Sequence, residues 1–162
     1  MSLSKAELLA REVLGRLVVR EETLATAESL TGGYIGQLLT AVPGSSMSYV
    51  GGAVAYATRL KAVLAGVPQE VLETDGPVAE STARAMAFGI ADRCAADWGL
   101  AVTGVAGPDP QDGHQPGEVH IAVARPAVDK VLYERHDLAG DRADIRRQTV
   151  ELALGLLTGA LE

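Results

Sequence analysis

Two spacings of apolar residues take turns along this chain, and that exchange limits the folds open to it. Ser4 and Glu7 make a capping box, and Leu9, Val13 and Leu17 then form an apolar stripe, so a first helix is expected over about 5–19. TLATA (23–27) reads as a strand, and residues 32–41 return to helical spacing. SYVGGAVAYA (48–57) alternates as a strand does, with Gly51 and Gly52 marking a bulge or a close approach of another backbone. A short helix, TRLKAVLAG, follows. Pro68, Gly76 and Pro77 punctuate the middle, a longer helix covers about 79–96, and WGLAVTG (98–104) is a short apolar strand. EVHIAVA and KVLYERHDL make a strand pair, and Asp141 caps a last helix with Ile145, Thr149, Leu152 and Leu156 as its inner stripe. Helices alternating with strands specify an α/β layered sheet, and the closing hairpin makes it mixed in direction.

The size of the chain, 162 residues, suits one domain with a real core, and 48% apolar content places it among globular proteins. No apolar run approaches the length that spans a membrane, and MSLSKAELLAREVL mixes charges with leucines rather than building a signal-peptide core. A soluble, cytoplasmic protein is therefore expected. The formal charge of −7 argues against general nucleic-acid binding, which needs a basic face, yet it leaves room for a small anion held by a local basic cluster. The single cysteine, Cys94, cannot close an internal disulfide, and no Cys/His group has zinc spacing. Cys94 follows Ala83, Met86, Ala87, Ile90 and Ala91 and is read as a small core residue on the inner face of a helix.

Chemistry concentrates at TAESLTGG (26–33), where strand spacing gives way to helical spacing. Ser29 or Thr31 can serve there as an N-cap, with Gly32 and Gly33 permitting a tight turn. The same geometry exposes residues at the sheet's end and leaves backbone N–H groups free for an anion or an oxyanion. The stretch is neither G-x-S-x-G nor a P-loop. A serine nucleophile needs a base. His114 lies in the Gly/Pro-rich segment VAGPDPQDGHQPG (105–117), whose length marks it as a functional loop; His120 and His136 lie on expected strands, and nothing points to a Ser-His-Asp triad. Lys61, on the mostly apolar short helix, is the other option: it either snorkels to solvent or acts as a neutral base with a depressed pKa. In VTGVAGP (102–108) the glycines after a strand are either a plain turn or a place where a ligand nears the backbone. In GDRADIRRQT (140–149), Arg142 in the first helical turn opposes the macrodipole, a conflict that an anionic ligand would relieve.

TAESLTGG, PGSS, YATRLK, GPVAE, TGVAGP, PGEV and GDR occur here in that order. Together they resemble the CinA C-terminal domain family, the nicotinamide-nucleotide amidase (PncC-like) family, from near Thr23 to the last helix. The resemblance implies a three-layer α/β/α sandwich with a mixed, mainly parallel sheet, and one stand-alone domain over 1–162 that in larger relatives follows a nucleotide-processing domain. It implies hydrolysis of nicotinamide mononucleotide to the nicotinate mononucleotide and ammonia, a step of pyridine nucleotide salvage, with no metal and no cofactor. Carried over, Ser29 is the nucleophile, Lys61 its base and Tyr56 a further site member. Thr31, Gly32, Gly33, Thr103, Gly104, Ala106 and Gly107 are the expected substrate-binding positions, and Arg142 is a candidate phosphate contact on the electrostatic argument above. The expected partner is a small nucleotide, with no nucleic acid and no membrane, and the protein is expected to be a homo-oligomer.

Three positions depart from the family pattern. Leu30 replaces the usual cysteine after the serine, a change of packing rather than of chemistry, while Ala57 and Thr58 replace the serine and asparagine of the Y-S-N segment. The last two remove hydrogen-bonding groups just before Lys61. They keep open an alternative reading, a non-catalytic nucleotide-binding or regulatory module with a competence or DNA-damage role.

Overall fold

The computed structural model describes residues 1–162. Helix α1 (Lys5–Arg20) begins at the expected capping box on Ser4 and Glu7. Then come β1 (Leu24–Glu28), α2 (Tyr34–Thr40), β2 (Tyr49–Val54), α3 (Thr58–Ala65), α4 (Gln69–Asp75), α5 (Glu80–Arg93), β3 (Trp98–Gly104), β4 (Glu118–Arg125), β5 (Lys130–Asp137) and α6 (Arg142–Ala160). The five strands form one sheet in the order β2-β1-β3-β4-β5. The first three are mutually parallel, β4 runs against β3, and β5 runs against β4. Four of the five strands thus point one way, a mixed and mainly parallel sheet.

The strand alternation sorts two unlike cores onto the two faces. Ala27, Ala101 and Ala122 stand in one cross-strand row, with Ala25, Gly99 and Ala124 beside it. This face is made of small residues and packs on α3, α4 and α5 through Ala65, Leu72, Ala83, Met86, Ala87 and Ile90. Leu100, Val102, Ile121 and Val123 occupy the other face, where α1, α2 and α6 bring Val13, Leu17, Ile35, Leu39, Leu154 and Leu157. With so little side chain between them, α5 and the sheet nearly touch: a Cβ on Gly99 would run into the Ala87 carbonyl.

Chain direction explains the layering. The segment from β1 to β2 steps one way along the sheet and carries α2 on one face. The segment from β2 to β3 steps back and carries α3–α5 on the other, as right-handed crossovers require. The connections part at β1, and the crevice at the carboxyl ends of β1 and β3 is the usual ligand position in such sheets.

Several local expectations need correction. Residues 69–75 form a helix that the Pro/Gly punctuation hid. Cys94 is not on the inner face but is the half-buried C-cap of α5. On α6 the inward residues are Ile145, Thr149, Val150, Ala153, Leu154 and Leu157, and Leu152 and Leu156 are only half-buried. Both readings offered for Gly51 and Gly52 hold: the β1–β2 register slips between Tyr49 and Gly51, and a Cβ on Gly52 would strike the Thr26 carbonyl.

Candidate active site

The expected nucleophile follows directly on β1. Its N–H donates to the Val102 carbonyl of β3 at 3.1 Å, and its carbonyl accepts from Gly32 N–H at 3.0 Å. The chain is therefore held in the sheet up to Ser29 and turned immediately after it. Gly32 and Gly33 lie at φ +58° and +101°, backbone conformations that glycine adopts without a Cβ penalty. Glu28 closes the turn from below. One of its oxygens accepts from Thr31 Oγ1 at 2.7 Å and Ile35 N–H at 2.9 Å, and the other from Gly36 N–H at 3.0 Å. Neither Ser29 nor Thr31 is the N-cap of α2; that position is Gly33, and Glu28 supplies the acceptors. The N–H groups of Leu30 and Thr31 find no acceptor in the protein.

Lys61 comes from α3 on the small-residue face. It does not snorkel: the residue is only 2% exposed, and Nζ lies 2.9 Å from Ser29 Oγ. Two backbone carbonyls accept from the same nitrogen, Ala55 at 2.9 Å and Tyr56 at 3.3 Å. No carboxylate lies within 4 Å of it. Burial pushes its pKa down from the usual lysine range to about 8. The three contacts suit a neutral amine as well: two N–H bonds on the carbonyls, and a lone pair toward the serine hydroxyl.

Both residues line a cavity of about 420 Å³, within the range of roughly 300–1,000 Å³ that small-molecule sites occupy. Thr103 and Gly104 at the end of β3, with Ala106 and Gly107 just beyond it, form one wall. Tyr56 and Arg142 stand at its exposed side, joined by a 2.9 Å hydrogen bond from Arg142 Nη2 to the tyrosine hydroxyl, while Arg142 Nη1 donates to the Gly107 carbonyl at 2.6 Å. Thr103 is fixed by its own hydroxyl, which donates to the Pro77 carbonyl at 2.7 Å. Thr31, Gly32 and Gly33 shape the turn and do not line the cavity. Pro77 and Val78 of the GPVAE segment and Asp109 and Gln111 of the 105–117 loop also line it; the sequence marked both segments but gave none of these four residues a site role.

None of the three histidines lines this cavity. His114 and His120 share one Glu118 oxygen at 2.8 Å each, and His136 pairs with Glu134. The cation at the start of α6 that sequence reasoning missed is Arg146. Its Nε donates to the Leu30 carbonyl and its Nη2 to the Thr31 carbonyl, both at 3.0 Å. Its position one helical turn after Arg142, on the same face, was the available signal.

A description of the CinA C-terminal domain matches residues 6–161, nearly the whole chain. The chain belongs to the CinA C-terminal domain family. A CinA-like protein of Frankia casuarinae is 48% identical over 145 residues, covering 90% of this chain and 33% of that protein. One of Acidobacterium capsulatum is 44% identical over 155 residues, covering 95% of this chain and 37% of that protein. The chain thus spans about a third of the length of these CinA-like relatives. Among solved structures, the competence/damage inducible protein CihA of Agrobacterium tumefaciens superposes with a TM-score of 0.92 at 37% identity, over 99% of both chains. A competence or damage-inducible protein of Enterobacter asburiae gives 0.93 at 30% identity, over 99% of this chain and 100% of that one. The three-layer α/β/α architecture is therefore that of the CinA domain. No helix is long and apolar enough to cross a membrane.

Proposed function

We propose that this CinA domain is a Ser-Lys amidase acting on the carboxamide of nicotinamide mononucleotide. The observation that carries the reading is the 2.9 Å contact between a buried lysine amine and a serine hydroxyl inside one cavity. A lysine without an acid partner, pushed down toward neutrality, is suited to take the proton of an adjacent alcohol. The identity of the amide is what the resemblance carried by the seven ordered motifs implies.

Neutral Lys61 removes the Ser29 proton as Oγ bonds to the carboxamide carbon. The charge that develops on the carbonyl oxygen is met by backbone N–H groups near 30–33 or 104–107, of which those of Leu30, Ala106 and Gly107 belong to cavity-lining residues and have no acceptor in the protein. Protonated Lys61 then gives its proton to the departing nitrogen, ammonia leaves, and an ester to Ser29 remains. Water attacks that ester, Lys61 accepts the water's proton and returns it to Ser29 Oγ, and the nicotinate nucleotide is released. Tyr56 and Arg142, at the cavity's exposed side, are the proposed contacts for the ribose and phosphate. A phosphate would exchange the Gly107 carbonyl or the tyrosine hydroxyl for a charged acceptor on Arg142.

The binding-module reading rested on Ala57 and Thr58. Lys61 is held by the carbonyls of Ala55 and Tyr56, which any side chain at 57 and 58 leaves intact. That independence supports catalysis. The experiment is ammonia release from nicotinamide mononucleotide by the wild type and by Ser29→Ala. Release by the wild type that vanishes in the variant is expected. A well-folded wild type that releases none overturns the reading.

A further inference from the structure

The two arginines one turn apart on α6 do different work. Arg142 and Arg146 have no carboxylate within 4 Å, in a chain whose acids outnumber its lysines and arginines by 21 to 14. Arg142 is exposed and reaches the cavity. Arg146 is half-buried, does not line the cavity, and spends its guanidinium on the two carbonyls that follow the nucleophile. Simple satisfaction of polar groups accounts for only half of this, because the Thr31 carbonyl already accepts from Tyr34 N–H at 3.1 Å.

A planar guanidinium bridging two successive carbonyls fixes the orientation of two successive peptide planes. In a trans peptide the C=O and N–H point opposite ways. Drawing the Leu30 carbonyl toward α6 therefore turns the Thr31 N–H away from α6, and that N–H has no acceptor in the protein. The backbone before the nucleophile is held by the sheet through Val102, and the Thr31 side chain is held by Glu28. Of the peptide planes just after it, Ser29–Leu30 and Thr31–Gly32 are tied by the Gly32 N–H to Ser29 carbonyl and Tyr34 N–H to Thr31 carbonyl bonds, and the Leu30–Thr31 plane has no tie except Arg146.

We infer that Arg146 is a positioning residue, which holds the Leu30–Thr31 peptides so that Ser29 and the free N–H groups beside it keep their reactive geometry. The inference rests on Ser29 being a nucleophile. A displacement of about 1 Å at a reacting group costs on the order of 100-fold in rate.

The test uses Arg146→Ala and Arg146→Lys, each with its thermal midpoint measured. Ammonia release is followed from nicotinamide mononucleotide and from the phosphate-free riboside. Ser29 is also labelled with a fluorophosphonate, in which the serine oxygen bonds phosphorus as fluoride leaves. Both variants are expected to remain folded at the assay temperature and to lose kcat about 100-fold at unchanged KM. The loss should be equal for both substrates, with labelling slowed in parallel. Lysine should fail because one ammonium cannot bridge two carbonyls in a plane, whereas added methylguanidinium should restore part of the alanine variant's rate. Unchanged kcat and labelling in the folded variants overturn the inference. So does a loss confined to KM or to the phosphorylated substrate, which makes Arg146 a phosphate ligand, and so does a loss that only follows unfolding. If wild-type Ser29 labels but releases ammonia from neither substrate, the amidase reading falls and the labelling rates alone decide on Arg146. A wild-type Ser29 that neither labels nor turns over overturns both.

Discussion

Lys61 sits on a short helix where a lysine ordinarily sends its amine to water, and here it turns inward to two carbonyls and a serine. Removing that amine takes away the base but leaves the turn, so Lys61→Met is expected to lose about 100–10,000-fold in kcat, the usual contribution of a general base, in single-turnover assays on a variant with wild-type circular dichroism. The proton economy of the pair sets a second expectation. Burial places the Lys61 pKa at about 8, and only the neutral amine can accept the Ser29 proton. The rate at saturating substrate should rise with pH through about 8 and then level off, read from ammonia release in constant-ionic-strength buffers; a flat profile from pH 6 to 10 would rule out Lys61 as the titrating base. From sequence the residue could be narrowed to snorkelling or functional and no further. The choice depends on which face of α3 meets the sheet, and that is decided by packing with α5 and not by any neighbour in the chain.

At the scale of elements, the glycines show how closely the layers approach on the alanine face. Gly99 of β3 faces the Ala87 carbonyl of α5, and Gly89 of α5 faces the Ala65 carbonyl of α3. A methyl group at either position has backbone in its way, so Gly99→Ala and Gly89→Ala should each cost roughly 1–3 kcal/mol in urea unfolding. Gly15 of α1 is the contrast. It is exposed with nothing within 4 Å, and Gly15→Ala should stabilise by about 0.5–1 kcal/mol through helix propensity alone. The elements themselves were largely legible, because Ser4/Glu7 and Asp141 cap their helices as written and WGLAVTG spans β3 as read. What was not legible has a common cause. Along α6, Leu152 and Leu156 look like an inner stripe, yet the face turned to α1 and the sheet runs through Ala153, Leu154 and Leu157, since a helix this apolar presents more than one possible seam. Helix α4 escaped because a seven-residue element between Pro68 and Gly76 has too few turns to display a period.

At the scale of the whole molecule, the site is a product of topology. Ser29 ends β1, Thr103 and Gly104 end β3, and Lys61 arrives on the crossover that returns to β3 from the opposite edge, so the crevice where the connections part receives all of them. The motifs marked these residues as separate islands, and strand order made them neighbours. The same arrangement loads the folded state with a buried amine, and stability should record it. Above the ordinary lysine pKa of about 10.4, Lys61 is neutral folded or unfolded and its burial carries no charge penalty. Below about 8 it is a cation in both states and the full penalty applies. Between those limits the unfolded chain holds a proton that the folded chain has released, so the contribution of Lys61 to stability rises with pH across that window. Other groups titrate there too, and the comparison with Lys61→Met isolates this one. Relative to wild type, the methionine variant should be at its greatest advantage, or least disadvantage, near pH 7. The difference in urea midpoint should shift toward the wild type by pH 10. A difference that stays constant from pH 7 to 10 would mean that Lys61 titrates alike in the folded and unfolded chain, and a base poised by burial would then have to be abandoned.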